Sequence, residues 1–247
     1  LGKLHGKRAF ITGAGGGIGA AIARRFAEEG ATVALADINA PLVESAAAAI
    51  PGAKAYVLDV RNRAAVHAAV DDFASQGGLD AMVNNAVAFH YAQLTDMPED
   101  IIDRMLDVGV KGTYWSTQAA TPHLIARGGG SIISLSSVAV SFAIKNAAVY
   151  TSIKGAVDAF TRQQAVELGV YGIRVNALAP GAVETPGASS VIDAEGWEKR
   201  RNMTPLGRLV TDREVASAAV FLASDEAASI AGVTLKIDAG ITIAGPR

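Results

Sequence analysis

The chain has 247 residues, 50% hydrophobic and 19% charged, and its 22 basic and 24 acidic side chains leave a net charge of −2. Without a basic excess there is no electrostatic drive toward a nucleic-acid backbone, and a half-apolar, nearly neutral chain is not a disordered one. Cysteine is absent, which excludes disulfides, thiolate metal sites and a cysteine nucleophile and agrees with a reducing, cytoplasmic setting.

No apolar run reaches the roughly 18 residues of a membrane span, and the short charged stretch 1–7 leaves no room for a signal peptide. Length and the lack of repeats or linkers predict one domain over 1–247. In chain order, a short apolar strand at 9–12 runs into a glycine-rich turn. Ile18, Ala21, Ile22 and Phe26 then recur at helical spacing. A second strand at 32–36 and a helix at 41–50, stopped by Pro51 and Gly52, follow. A third strand covers 56–58, and Val66, Val70 and Phe73 mark the next helix. The fourth strand is 81–83. A helical pattern from 98 to about 126 is interrupted near Gly109 and Gly112. Strand 131–135, helix 150–170 and strand 173–178 come next. Thr211-x-x-Glu214 forms a capping box opening one more helix, and 233–237 is the last strand.

Seven strands separated by helices, apolar along their length rather than alternating, predict a parallel α/β sheet covered on both faces. The least regular stretch, 184–210, is rich in Pro, Gly and Ser and carries Trp197. Ligands of open α/β sheets bind beyond the carboxyl ends of the strands, so this segment after the sixth strand is expected to be a substrate lid.

The turn Thr12-Gly13-Ala14-Gly15-Gly16-Gly17-Ile18-Gly19 sits between a strand and a helix. Gly13 suits a tight turn, Gly17 lets backbone approach a pyrophosphate, and Gly19 permits close helix-on-strand packing. The phosphates would meet free N–H groups at the positive end of the helix. Asp37 ends the second strand, 24 positions after Gly13, where a carboxylate accepts from the adenosine 2′-hydroxyl and repels a 2′-phosphate. No Arg or Lys lies in the turn or at Ile38 and Asn39, so NAD is expected over NADP. Asp59, with Val60 beside it, is either the adenine contact or a plain strand-end carboxylate.

Tyr150 and Lys154 stand four residues apart on one helix face, and Ser136 and Ser137 end the preceding strand. With these residues the chain resembles the short-chain dehydrogenase/reductase family over nearly its whole length. The resemblance rests on Thr12-Gly13-x-x-x-Gly17-x-Gly19, Asn84-Asn85-Ala86, Ser137, Tyr150-x-x-x-Lys154 and Pro180-Gly181-x-x-x-Thr185. It implies a Rossmann-type doubly wound fold and an oxidoreductase passing hydride between NAD(H) and a secondary alcohol or ketone. Tyr150 would be the general acid/base. Its phenol, ordinarily ionising near about pH 10, would be brought down by the Lys154 ammonium and the positive nicotinamide. Lys154 would also hold the nicotinamide ribose, and Ser137 the substrate oxygen. Pro180, Gly181, Val183 and Thr185 would grip the carboxamide, with Asn85 and Ala86 lining the ribose side. A dimer or tetramer is also implied, and apolar residues on several faces of 105–120 and 156–168 agree with one.

Two positions depart from the family pattern. Gly109 stands where an asparagine supports a water relay to the lysine, so slowed turnover is expected. Val87 replaces the glycine after Asn-Asn-Ala. The substrate pocket is assigned to His90, Val138, Phe142, Ile144 and Trp197, with Ala88, Phe89, Val140 and Val183 beside them. Lys199, Arg200 and Arg201 are read as a solvated lid face. A pocket without cations predicts a neutral, fairly hydrophobic substrate, cyclic or aromatic. The scattered histidines predict no metal. The alternatives are an NAD-binding regulator with weakened catalysis, suggested by Gly109, and an epimerase or dehydratase retaining NAD.

Overall fold

The structure, a computed structural model, describes residues 1–190 and 192–244. Its first half runs β1 (Arg8–Thr12), α1 (Gly17–Glu28), β2 (Thr32–Asp37), α2 (Ala40–Ala48), β3 (Lys54–Val57), α3 (Arg63–Ser75) and β4 (Ala81–Asn84). Then come α4 (Glu99–Leu106), a π-helical turn (Asp107–Lys111), α5 (Gly112–Arg127), β5 (Gly130–Leu135), α6 (Ala148–Gly169) and β6 (Ile173–Pro180). Two short helices, α7 (Pro186–Ser189) and α8 (Ala194–Met203), precede α9 (Asp212–Ala223) and β7 (Thr234–Ile237).

All pairings are parallel, in the order β3-β2-β1-β4-β5-β6-β7. β1 pairs with β2 on one side and β4 on the other, so the winding reverses there and opens a crevice beyond the carboxyl ends of the two strands. The predicted doubly wound α/β domain is the observed one.

Strand alternation divides the core between the two faces. Ile11, Leu35, Val83 and Ile133 pack with Phe26 of α1 and the apolar face of α9. Phe10, Met82 and Ile132 point the other way, onto Phe73 of α3 and Leu124 of α5. The central strands are apolar on both faces, as expected. The edge strands are not: Val57 of β3 and Leu235 of β7 are exposed, and lysines 54 and 236 lie on these strands. An edge strand keeps one side wet, which the reading of uniformly apolar strands overlooked.

Helix starts follow local chemistry. The Asn39 and Asn62 side chains accept from the N–H groups of Leu42 and Ala65. The Thr211–Glu214 capping box forms reciprocally at α9, and each cap satisfies donors that a helix start leaves open. The pattern broken near Gly109 and Gly112 is two helices joined by the π-turn. Both glycines there are required by space. A Cβ at Gly112 would meet Val60 Cγ2 at 2.9 Å, and one at Gly109 would meet Ile153 Cγ2 at 2.5 Å. The close approach brings the π-turn against α6, the helix that carries Tyr150 and Lys154.

Candidate active site

The glycine turn is locked from two sides. Thr12 Oγ1 donates to the carbonyl of Val83 and accepts from the N–H groups of Asn85 and Ala86. Asn85 Nδ2 donates to the carbonyls of Thr12, at 3.1 Å, and Gly13, at 2.8 Å. Gly13 has φ +63, and a Cβ on it would lie 2.7 Å from Ala86 Cα. A Cβ on Gly19 would reach 2.3 Å from the Gly13 carbonyl oxygen. No side chain caps α1, whose N-cap is Gly16, and a Cβ on Gly16 would meet nothing within 4 Å. The start of the helix therefore offers backbone donors to open space, which fits a pyrophosphate.

Asp37, at the end of β2, accepts from Gly15 N–H at 3.0 Å and from Asn39 N–H at 3.0 Å. Its carboxylate thus faces the glycine turn with acceptor capacity left over. Asp59, read as the adenine contact or a plain strand-end carboxylate, is bound by a neighbour. Arg61 binds its Oδ2 through Nε and Nη2, the latter at 2.6 Å, and the Arg61 N–H binds Oδ1. The guanidinium holds this carboxyl below the usual carboxylate range. The reason is local, since the partner lies two residues away. Val60 is buried against Gly112.

Ser137, Tyr150 and Lys154 converge on one wall of a cavity of about 430 Å³. Ser137 lies two residues beyond β5, and its Oγ caps the following turn by accepting from Ala139 N–H. Ser136 Oγ donates to the Lys154 carbonyl, tying α6 to the same strand end. Lys154 Nζ donates to the Leu135 carbonyl at 2.6 Å and stands 5.7 Å from the centre of the Tyr150 ring. That ring is held between Phe89, stacked at 5.7 Å, and Tyr91, edge-on at 5.6 Å.

The electrostatics differ from the expectation of a lysine-lowered phenol. Burial pushes the Tyr150 phenol up, and the Ser137 hydroxyl works only partly against it. Burial also brings the Lys154 ammonium down to about 8. The ammonium bonds a backbone carbonyl, and desolvation penalises both charged forms. The protein alone therefore favours a neutral phenol.

Of the predicted cofactor residues, Ile18, Asn85, Pro180, Gly181, Val183 and Thr185 border this cavity. A Cβ on Gly17 would meet Thr185 at 3.3 Å, so the glycine turn and the end of β6 face each other. Val138, Phe142, Ile144 and Trp197, read as substrate contacts, line the same cavity, together with Val87 and Phe89. His90 does not. The cavity takes Phe89 and Tyr91 from this non-helical segment, and the residue between them is not part of its wall. Val140 is also outside the lining, and Ala88 packs on the cluster around Met105 and Ile153.

The expected lid carries α7 and α8; Val191 within it lies outside the described residues. Trp197 is buried beneath it at 6% exposure. Lys199 and Arg200 face the cavity, as does Lys145 from the approach to α6. This corrects the reading of a solvated lid face and of a pocket without cations: Arg200, three residues after the inward Trp197, lies on the same face of α8, and Lys199, exposed on the outer side, reaches the rim with its long stem. Tyr91, Lys145 and Met203 were missed because no motif marks them.

The family model described as enoyl-(acyl carrier protein) reductase matches residues 13–242. D-threitol dehydrogenase of Mycolicibacterium smegmatis is 36% identical over 98% of this chain and 95% of its own length. The crystal structure of a 3-ketoacyl-(acyl-carrier-protein) reductase from Brucella melitensis with NADH superposes with a TM-score of 0.92 at 35% identity, covering 97% of this chain and 99% of that one. A gluconate 5-dehydrogenase from Burkholderia cenocepacia with NADP and tartrate gives 0.93 at 37% identity, covering 98% of each chain. Together with the glycine turn and the convergence of serine, tyrosine and lysine, these matches identify the chain as a member of the short-chain dehydrogenase/reductase family of oxidoreductases.

Proposed function

We propose that this protein is an NAD-dependent oxidoreductase interconverting a secondary alcohol and a ketone. The observation that carries the reading is the meeting of Ser137, Tyr150 and Lys154 on the wall of an apolar cavity that reaches the end of β6. Relatives bind either NADH or NADP; the Asp37 carboxylate against the glycine turn supports NAD, because a 2′-phosphate beside it would be repelled.

The glycine turn and the start of α1 would hold the pyrophosphate, Asp37 the adenosine ribose, and Lys154 with Thr185 the nicotinamide end. When bound, the oxidised nicotinamide supplies a hydride acceptor and a positive charge. Ser137 Oγ orients the substrate oxygen by hydrogen bonding, and Tyr150 Oη takes its proton in oxidation or returns it in reduction. Phe89 and Tyr91 fix the plane of the phenol and exclude water from it. Lys154, with its Nζ 5.7 Å from the centre of the phenol ring, is locked by the Leu135 carbonyl.

A homo-oligomer is part of this proposal: Tyr114 on α5 and Val166 on α6 are exposed, as are Val170 and Tyr171 just beyond α6. Light scattering at a single-chain mass would remove that part.

The activity is tested by following absorbance of the reduced cofactor with a panel of cyclic secondary alcohols. Tyr150→Phe should abolish turnover while the dinucleotide still binds. Undiminished oxidation by that variant would refute the reading.

A further inference from the structure

The cavity wall contains four cationic side chains, Lys145, Lys154, Lys199 and Arg200, and no aspartate or glutamate among the described residues. Lys154 is tied to the Leu135 carbonyl in the floor. The other three lie at the mouth, and among the described residues none of them forms an ion pair. Their charges are therefore uncompensated by a carboxylate, unlike those of Arg208, paired with Glu214, Arg127, with Asp80, and Arg61, with Asp59. Arg200 is only half-exposed, and its Nη1 donates to the Gly196 carbonyl one turn back at 2.9 Å. That bond fixes the guanidinium and leaves Nε and Nη2 without a protein acceptor among the described residues.

Between mouth and floor the wall is apolar, with Val138, Phe142, Ile144, Val183 and Trp197. The arrangement is amphipathic: a reacting end at Tyr150, a hydrophobic wall, and three cations at the rim. A neutral substrate would gain nothing from that rim. A carboxylate would meet a planar fork of donors in a partly desolvated setting, where charge-assisted hydrogen bonds are strongest. The arginine charge is also felt at Tyr91, whose phenol it eases toward ionisation against a larger effect of burial.

We infer that the substrate is a hydrophobic hydroxy or keto acid, its alcohol or ketone at Tyr150 and its carboxylate at the mouth, bound by Arg200 with Lys199 and Lys145 beside it. The inference rests on the proposed alcohol–ketone activity for the position of the reacting end, and its test needs no turnover.

The probes are 3-(4-oxocyclohexyl)propanoate and the corresponding amide, titrated by calorimetry into cofactor-free protein and into protein saturated with NADH. The carboxylate is expected to bind about tenfold tighter than the amide, the ratio corresponding to one net charge-assisted contact of about 1.4 kcal/mol. Added salt should shrink the ratio. Arg200→Gln should bring it close to one with amide binding unchanged, and Arg200→Lys, which keeps the charge without the fork, should restore part of it. Lys199→Gln, on the outer side of α8, gives a second, milder reduction and guards against a misfolded Arg200 variant.

Equal binding of the two probes, absence of carboxylate binding, or a preference that survives Arg200→Gln would overturn the inference. So would a preference that disappears on saturation with NADH, which would assign the cations to the dinucleotide phosphates. A retained carboxylate preference in a protein that oxidises no alcohol would sink the proposed activity and leave the anion site standing.

Discussion

Gly109 offers a perturbation whose size can be worked from geometry. A Cβ at this position lies 2.5 Å from Ile153 Cγ2, whereas carbon atoms rest about 3.5–4.0 Å apart. Ile153 is 2% exposed; it is β-branched on a helix, so its Cγ2 cannot swing away. The π-turn or α6 must therefore move by about an ångström. Overpacking of this kind costs about 1–3 kcal/mol, offset by at most about 1 kcal/mol from replacing a helical glycine. Gly109→Ala should lose about 1–2 kcal/mol net, a fall in Tm of about 2–8 °C for a chain of this size. Gly109→Asn, the residue usual in the family, should lose more, because its amide also enters a buried position. Turnover should fall with stability, since Ile153 directly precedes Lys154. Thermal unfolding and turnover are measured for both variants, and for Gly109→Ala combined with Ile153→Ala, which removes the obstructing methyl. The double variant should exceed the sum of the single effects in stability by about 1 kcal/mol. Unchanged or raised Tm in Gly109→Ala, with an additive cycle, would refute the steric account and return Gly109 to the status of a lost relay residue.

Other expectations follow from the site and the caps. Asp37→Asn keeps the hydrogen-bond acceptor to Gly15 and removes the charge; the ratio of kcat/KM with NADP to that with NAD should rise about tenfold or more, and an unchanged ratio would remove the argument for NAD. Lys154 ionises at about 8 in the folded chain against an ordinary 10.5. Between these values the unfolded chain binds more protons, so this residue's contribution to stability rises with pH through that window. Lys154→Met should accordingly be more stable than the wild type below about pH 8, with the advantage shrinking toward pH 10.5; urea midpoints with parallel pH profiles would contradict this. Thr211→Ala breaks the capping box of α9 and should cost about 1 kcal/mol, read from the same urea curves.

The fold was legible because its signals are local and repeated. Buried strands are continuous apolar runs, glycines mark the turns, and the capping box announced α9 from two residues. The floor of the site was legible for a similar reason: Ser137, Tyr150 and Lys154 lie at motif spacings on adjacent elements. The mouth was not. Lys199 and Arg200 look like a charged helix surface in one dimension, and only the inward turn of Trp197 makes their neighbours part of a cavity wall. His90 and Tyr91 were beyond sequence resolution, because a non-helical segment gives no sign of which alternate residue faces inward. Gly109 was visible as a departure, yet its cause sits 44 positions away at Ile153. The acidity of Tyr150 depends on burial, which spacing does not report.

Val183 and Val210 form an isolated parallel bridge, and the Val210 N–H donates to the Ala182 carbonyl at 3.1 Å. The chain between them thus leaves and re-enters the sheet edge at a single doorway, its ends already joined by backbone bonds. A segment anchored this way is a cassette: it can be exchanged, lengthened or redesigned with little change in the end-to-end geometry the remaining scaffold must meet. Appetite for new molecules can therefore evolve by rewriting that insert, while the proton-handling floor stays as it is.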